Sequence, residues 1–261
     1  VCYVTVSSFV SLMDPEAMVE EENGAVSVNS STVIEVVALE GQAPEEGQDA
    51  QPGSAQAEQD VELAADVVTD DLSLTAAVGG DYVVANGRYL YAEDGVVQLE
   101  GRVAVPVRLL ARVFNLDVGY NGETRTVVLN HSGEGAYLLP GDSYYNGDTL
   151  YWLSRIINAE SGNQILEGKI AVGNVVMNRV NSPKFPNNIY DVLYQKNQFS
   201  PASSGSLKRT PNEESVIAAK LVLDGAEVVP TALFFSRAGL SCYASRNRPY
   251  VTTIGAHAFY A

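Results

Sequence analysis

LSRIINAESGNQILEGKIAVGNVVMNRV, residues 153–180, reads as two helices joined by a short turn. In the first, which begins near Asp148, Leu150, Leu153, Ile156 and Ile157 recur at helical spacing and share one face. Gly162 stops it, so Glu160 falls at its C-terminal end. The negative end of a helix dipole disfavours an ionised carboxyl and raises its pKa, and partial burial acts in the same direction. A carboxylic acid that stays protonated near neutrality is what general-acid catalysis needs. The second helix, over 164–181, is apolar almost all round between Ile170 and Val180 and is expected to be central and buried. Gly168 and Gly173 would let neighbours approach it closely, and Asn178 and Arg179 near its end could orient a carboxylate or a sugar.

Downstream, Thr210-Pro211-Asn212-Glu213 reads as a capping box with Pro at the first helical position. That helix runs on to Gly225. ALFFSRAG (232–239) and PYVTTIGAHAFYA (249–261) read as strands. The last domain, 147–261, is thus α+β: helices against a small antiparallel sheet.

Upstream, HSGEGAYLLPGDSYYNGD (131–148) is Gly-rich and polar, and 132–146 reads as a linker. DYVVANGRYLYA (81–92) is a hairpin around Asn86-Gly87, followed by a short strand pair in VVQLEGRVAVP (96–106). Pro106 opens a helix with Leu109, Leu110 and Val113 on one face, and two strands then flank Asn121-Gly122. Residues 81–131 are therefore a small ββ-α-ββ domain. Residues 14–80 contain no aromatic and no Lys or Arg, which predicts a disordered acidic spacer kept extended by its own charge. The apolar run VCYVTVSSFVSLM (1–13) is too short to span a bilayer and reads as the remnant of a secretory signal.

The net charge of −16 is unevenly placed. Residues 1–80 supply all of it, 81–144 are net −3, and 145–261 are net +3. No strong basic patch exists, which argues against a nucleic-acid partner. Cys2 and Cys242 cannot form a disulfide framework, and His131 and His257 make no His-rich metal cluster. Nothing in the sequence requires a metal or cofactor, and a monomer without a membrane span is expected.

The motifs at 153–180, QFSP (198–201), TPNEES (210–215) and RNRPYVTTIGAHAFYA (246–261) together resemble the SleB/CwlJ cell-wall hydrolases. That resemblance covers nearly all of 145–261. It implies a lysozyme-superfamily-like domain that cuts peptidoglycan, of spore cortex or vegetative wall, with its catalytic glutamate at Glu160. It also implies an exported protein of a Gram-positive-type bacterium, acting at the wall or spore. ANGR (85–88), LEGRVAVPVRLLARVFNLDVGY (99–120) and TRTVVL (124–129) resemble the N-terminal domain of copper amine oxidases, read here as a stalk without copper chemistry.

Several residues join Glu160 as candidates. Ser161 follows it in a Glu-Ser pair like that of lysozyme-like lytic transglycosylases, and Glu167 matches a position the family fills with Glu. Gln198, Phe199 and Ser200 form either loop packing or a saccharide platform. Tyr243 and Tyr250 are core or ligand shelf; Arg248 is a solvated charge or meets substrate carboxylates. His257 is a structural hydrogen-bonder or a site residue. A lytic transglycosylase needs one carboxylate, because the C6 hydroxyl of the muramic residue replaces water as nucleophile. A hydrolytic muramidase would use a second, from among Glu167, Asp191, Glu213, Glu214, Asp224 and Glu227. An N-acetylmuramoyl-L-alanine amidase and a non-enzymatic wall-binding protein are the competing classes.

Overall fold

The helix pair expected at 153–180 forms as α4 (Gly147–Ser161) and α5 (Leu166–Val180) in the structure, a computed structural model that describes residues 2–34, 68–131, 137–196, 198–199 and 204–261. Ahead of the pair lie β1 (Tyr3–Thr5), α1 (Val6–Met13), β2 (Met18–Glu22), β3 (Ala25–Ile34), β4 (Val68–Ala77), β5 (Tyr82–Ala85) and β6 (Arg88–Tyr91). Then come β7 (Val97–Leu99), β8 (Arg102–Pro106), α2 (Val107–Val113), β9 (Leu116–Asn121), β10 (Thr126–His131) and α3 (Gly141–Tyr144). After the pair follow α6 (Ile189–Leu193), a 3₁₀ turn (Ser206–Lys208), α7 (Glu213–Leu223), β11 (Phe234–Arg237), α8 (Tyr243–Asn247), β12 (Tyr250–Ile254) and β13 (His257–Tyr260).

The hairpins expected within 81–131 are present, with left-handed turn residues at Asn86-Gly87 for β5–β6, at Glu100-Gly101 for β7–β8 and, for β9–β10, at Arg125 rather than at Asn121-Gly122. They do not form a separate unit. β5 and β6 complete a five-stranded sheet in the order β2-β3-β4-β5-β6, and β8 pairs with β1 as well as β7.

Three expectations are corrected here. First, residues 1–13, expected as the remnant of a secretory signal, fold as part of the N-terminal core. β1 pairs with β8, and α1 buries Val6, Phe9 and Val10 in the N-terminal core. Their i, i+3, i+4 spacing, with Ser7 and Ser8 between and Ser11 after, is that of an amphipathic helix. Second, the acidic segment is not disordered throughout: 18–34 and 68–77 form three strands. Val26 and Val28, then Leu72, Leu74 and Ala76, alternate into the core, so period-two burial overrides the acidic composition. The rest of that segment, 35–67, lies outside the described residues. Third, of the stretch 132–146 expected as a linker, the described part 137–146 is packed, with Tyr137 and Leu138 buried in the N-terminal core. The Tyr137 hydroxyl donates to Asp14 Oδ2 (2.5 Å).

In the C-terminal part, α5 is buried on nearly all sides, as its composition predicts. Gly173 sits where α4, α5 and α7 meet; a Cβ there would lie 2.8 Å from Val222 Cγ2 and 3.0 Å from Ile157 Cδ1. α7 is capped by Asn212 rather than Thr210: the Asn212 side chain accepts from Ser215 N (2.9 Å). The sheet is antiparallel in the order β11-β13-β12.

The two parts meet at Asp224, whose side chain is fully buried. It accepts from Arg88 Nε (3.0 Å) and Nη2 and from the Tyr145 hydroxyl, with Arg112 Nη2 at 3.5 Å. The Arg88 guanidinium lies over the Tyr144 ring, and Lys220 over Tyr89. The N-terminal part is docked, not hung on a tether. Among the described residues, no helix is long and apolar enough to cross a membrane.

Asp224→Ala leaves the Arg88 guanidinium buried without its counter-charge and is expected to cost about 3–5 kcal/mol in urea unfolding. Replacing the pair together, Arg88→Met with Asp224→Leu, should recover most of that loss. Gly173→Val forces α4, α5 and α7 apart and should cost about 1–3 kcal/mol or more by the same measurement.

Candidate active site

Glu160 continues the buried stripe of α4. It lies seven, four and three residues after Leu153, Ile156 and Ile157, all fully buried, and so points to the same side of the helix. The side chain is partly buried and its pKa is pushed above the ordinary carboxylate value by desolvation. No hydrogen-bond donor among the described residues reaches the carboxylate to offset this. The C-terminal end of the helix dipole acts the same way. The group is thereby biased toward its neutral, proton-donating form.

The turn after Glu160 is tied on two sides. Asn158 Oδ1 accepts from the backbone N of Asn212 (3.0 Å), and Asn212 Nδ2 donates to the Gly162 carbonyl (3.0 Å). Opposite, Gln164 Oε1 accepts from Ala256 N (2.9 Å) in the β12–β13 turn. The buried Lys169 donates to the Gln164 carbonyl (2.5 Å) and to Glu214 Oε2 (2.5 Å). Gly255 has φ +55°, and a Cβ there would fall 2.6 Å from Gln164 Oε1. These ties hold Glu160 from one direction by α7 and from the other by the hairpin that carries His257.

His257 begins β13, next to the tethered Ala256. Its ring lies partly buried against Phe235, 5.4 Å between centroids at a steep angle. Burial lowers its pKa, which favours the neutral imidazole, and Nδ1 has no hydrogen-bond partner among the described residues.

The other candidates separate. Ser161 is 0% exposed and its hydroxyl donates back to the Ile157 carbonyl (2.8 Å). The hydroxyl is committed to the backbone of α4. Phe199, 5% exposed, belongs to the core and offers no ring to a sugar. Ser200 lies outside the described residues. Glu167 is exposed on the first turn of α5, in a cleft with Asp81, Tyr91, Glu93 and Glu227 at the junction with the N-terminal part. Tyr250 is exposed on β12 and its hydroxyl donates to Thr253 Oγ1 (3.0 Å). Gln198, Tyr243 and Arg248 line a second cleft, with Arg179, Lys184 and Phe234.

The carboxylates considered as a second catalytic group are placed elsewhere. Asp224 holds the junction, Glu214 pairs with Lys169, and Asp191 accepts from Asn188 Nδ2 (2.7 Å). Glu213 stands exposed on α7 rather than in a capping box, and Glu227 lines the junction cleft. Sequence reading did not single out Gln164, Asn158 or Asn212, whose roles rest on partners roughly 50 to 90 residues away. Among the described residues no three His, Cys, Asp or Glu side chains gather as a metal would require. Cys242 caps α8, and its thiol is lowered to about 7, first by the backbone hydrogen bond from Ser245.

Two stretches of the chain match known families. Residues 163–260 match the family described as Cell Wall Hydrolase, the match beginning three residues after Glu160, and residues 54–129 match the Copper amine oxidase N-terminal domain. The second match starts well before the boundary expected at 81. The spore cortex-lytic enzyme of Bacillus subtilis strain 168 is 26% identical over 122 residues, 46% of this chain and 39% of that protein. That of Bacillus cereus strain ATCC 14579 is 27% identical over 118 residues, 44% of this chain and 45% of that protein. The chain thus spans less than half the length of these curated relatives. The catalytic domain of the germination-specific lytic transglycosylase SleB from Bacillus anthracis is 26% identical, with a TM-score of 0.43, covering 47% of this chain and all of that one. Residues 163–260 are thus similar to cell wall hydrolases, and residues 54–129 to copper amine oxidase N-terminal domains.

Proposed function

We propose that this chain cleaves the glycan strand of peptidoglycan as a lytic transglycosylase, with Glu160 as the single acid and base. The observation that carries the reading is a carboxyl at the end of a buried helix stripe, desolvated and without a donor among the described residues. The domain match and the names of the relatives support the substrate class.

In this mechanism the Glu160 carboxylic acid protonates the glycosidic oxygen between muramic acid and glucosamine, and the C1–O bond breaks. The sugar passes through an oxocarbenium-like state. The carboxylate then takes the proton of the muramic C6 hydroxyl while O6 bonds to C1, which leaves a 1,6-anhydro end and restores the acid. Asn158, Asn212 and Gln164 are positioning residues that hold the turn beneath Glu160. The protein is exported and works at the wall or spore of a Gram-positive-type bacterium, where its substrate lies.

Mass spectrometry of peptidoglycan digested by the full chain tests the reading. Fragments with anhydro-muramic ends, one water lighter than hydrolysis products, are expected, and Glu160→Gln should reduce their formation by roughly 10²–10⁴-fold. Reducing muramic ends would establish hydrolysis instead, and freed peptides on intact glycan would establish an amidase.

The acid step requires protonated Glu160, so kcat/KM should fall as pH rises through its elevated pKa. Stability follows the same sign. An acid whose pKa is raised in the folded state stabilises the fold below its unfolded pKa, and that contribution is lost as pH rises through the folded value. Glu160→Gln should therefore raise the unfolding temperature near neutral pH, with the gain vanishing in acid; an equal shift at all pH values would contradict this.

Gly255→Ala displaces Gln164 from Ala256 and should lower kcat by roughly tenfold or more with KM little changed.

A further inference from the structure

The second cleft, of about 860 Å³, carries three cations and no carboxylate side chain among its lining residues. Arg179 is the anomaly within it. The side chain projects from the end of α5 and is 4% exposed, yet no Asp or Glu among the described residues pairs with it. Nε donates to the Leu233 carbonyl (2.7 Å) and Nη1 to Gln198 Oε1 (3.0 Å), whereas Nη2 donates to none of the described residues. The rings of Phe185, Phe199 and Phe234 stand 4.9–5.2 Å from its Cζ. Burial lowers its pKa to about 10, which leaves it charged at neutral pH. A buried guanidinium held only by neutral oxygens and aromatic faces is costly, and charges in interiors are ordinarily paired.

Two further cations face the same space. Arg248 lies with its Cζ 4.8 Å from the Phe234 ring and 5.8 Å from Tyr243, so it is held over the cleft. Lys184 completes the rim. A planar fork on a buried base, with two exposed cations at the mouth, suits a carboxylate.

We propose that this cleft is a carboxylate subsite for the anionic substituent of a muramic residue, bound by Arg179, Arg248 and Lys184 while Tyr243 packs on the attached chain. The choice of ligand rests on the glycan-cleaving reading above; the presence of an anion site rests on Arg179 alone. Arg179 is thirteen residues beyond the start of α5, about 20 Å along its axis from the turn that carries Glu160. The subsite therefore selects a strand by what it bears away from the bond being cut. The carboxylate can come from the lactyl group itself or from a stem peptide, and both place one anion on the same three cations.

The test is calorimetric titration of the full chain as Glu160→Gln, so that no ligand is consumed. Three soluble fragments are compared: a glucosamine–muramic disaccharide with its free lactyl carboxylate, the methyl ester of that disaccharide, and the disaccharide carrying a tetrapeptide. At least one carboxylate form should bind about tenfold more tightly than the neutral ester, with the gap narrowing as salt is raised. Tighter binding of the tetrapeptide form than of the free acid assigns the anion to the stem; the reverse assigns it to the lactyl group. Arg248→Gln with Lys184→Gln, both exposed and so neutral to folding, should remove most of the gap, and Arg179→Lys should weaken the acid form while an unchanged circular dichroism spectrum excludes unfolding. Equal affinity for ester and both carboxylate forms, or a gap unmoved by these variants, overturns the proposal. Because binding is read without turnover, absence of glycan cleavage alongside an intact gap would count against the catalytic reading alone.

Discussion

Burial of Leu153, Ile156 and Ile157 against α5 and α7 is the constraint on which the site depends. A helix cannot turn one residue of a stripe away from the side its neighbours occupy, so the packing that seats α4 carries Glu160 out of water. Desolvation is then a consequence of folding and needs no charged neighbour to produce it. Gly173 permits that packing by leaving room for Val222 and Ile157 at the crossing.

Polar ties complete what packing begins. A helix terminus leaves carbonyls unsatisfied, and here the Gly162 carbonyl is satisfied by Asn212 while Gln164 accepts from Ala256. The turn beyond Glu160 is thus held between α7 and the β12–β13 hairpin. Farther along, Asp224 closes the chain over itself by gathering Arg88, Arg112 and Tyr145 around one buried carboxylate. Its partners come from the N-terminal part and from the segment between the parts, so the C-terminal domain and the part before it share a polar core at their junction. An acidic group that a sequence reader would enlist for catalysis is thereby committed to structure.

Much of the C-terminal fold was legible in the chain. Helical spacing located α4 and α5, Gly162 marked the end of α4, and the Asn-Gly pairs at 86–87 and 121–122 marked two N-terminal hairpins. The N-terminal part was misread where composition spoke louder than period. An acidic, aromatic-free stretch yields strands once Val26, Val28, Leu72 and Leu74 find a shared face, and strand pairing is a non-local event that composition does not register. The helical spacing of Val6, Phe9 and Val10 in α1 was not used, because the apolar residues were counted as a run.

Sequence alone determined that Glu160 stands at a helix end and that the domain is α+β, because these follow from local spacing. Tertiary structure decided which carboxylates are spent on structure, that Ser161 and Phe199 face inward, and that Arg179 is buried without an acidic partner among the described residues. Those outcomes depend on contacts between residues far apart in the chain, and burial is a property of the assembled fold that no residue possesses by itself.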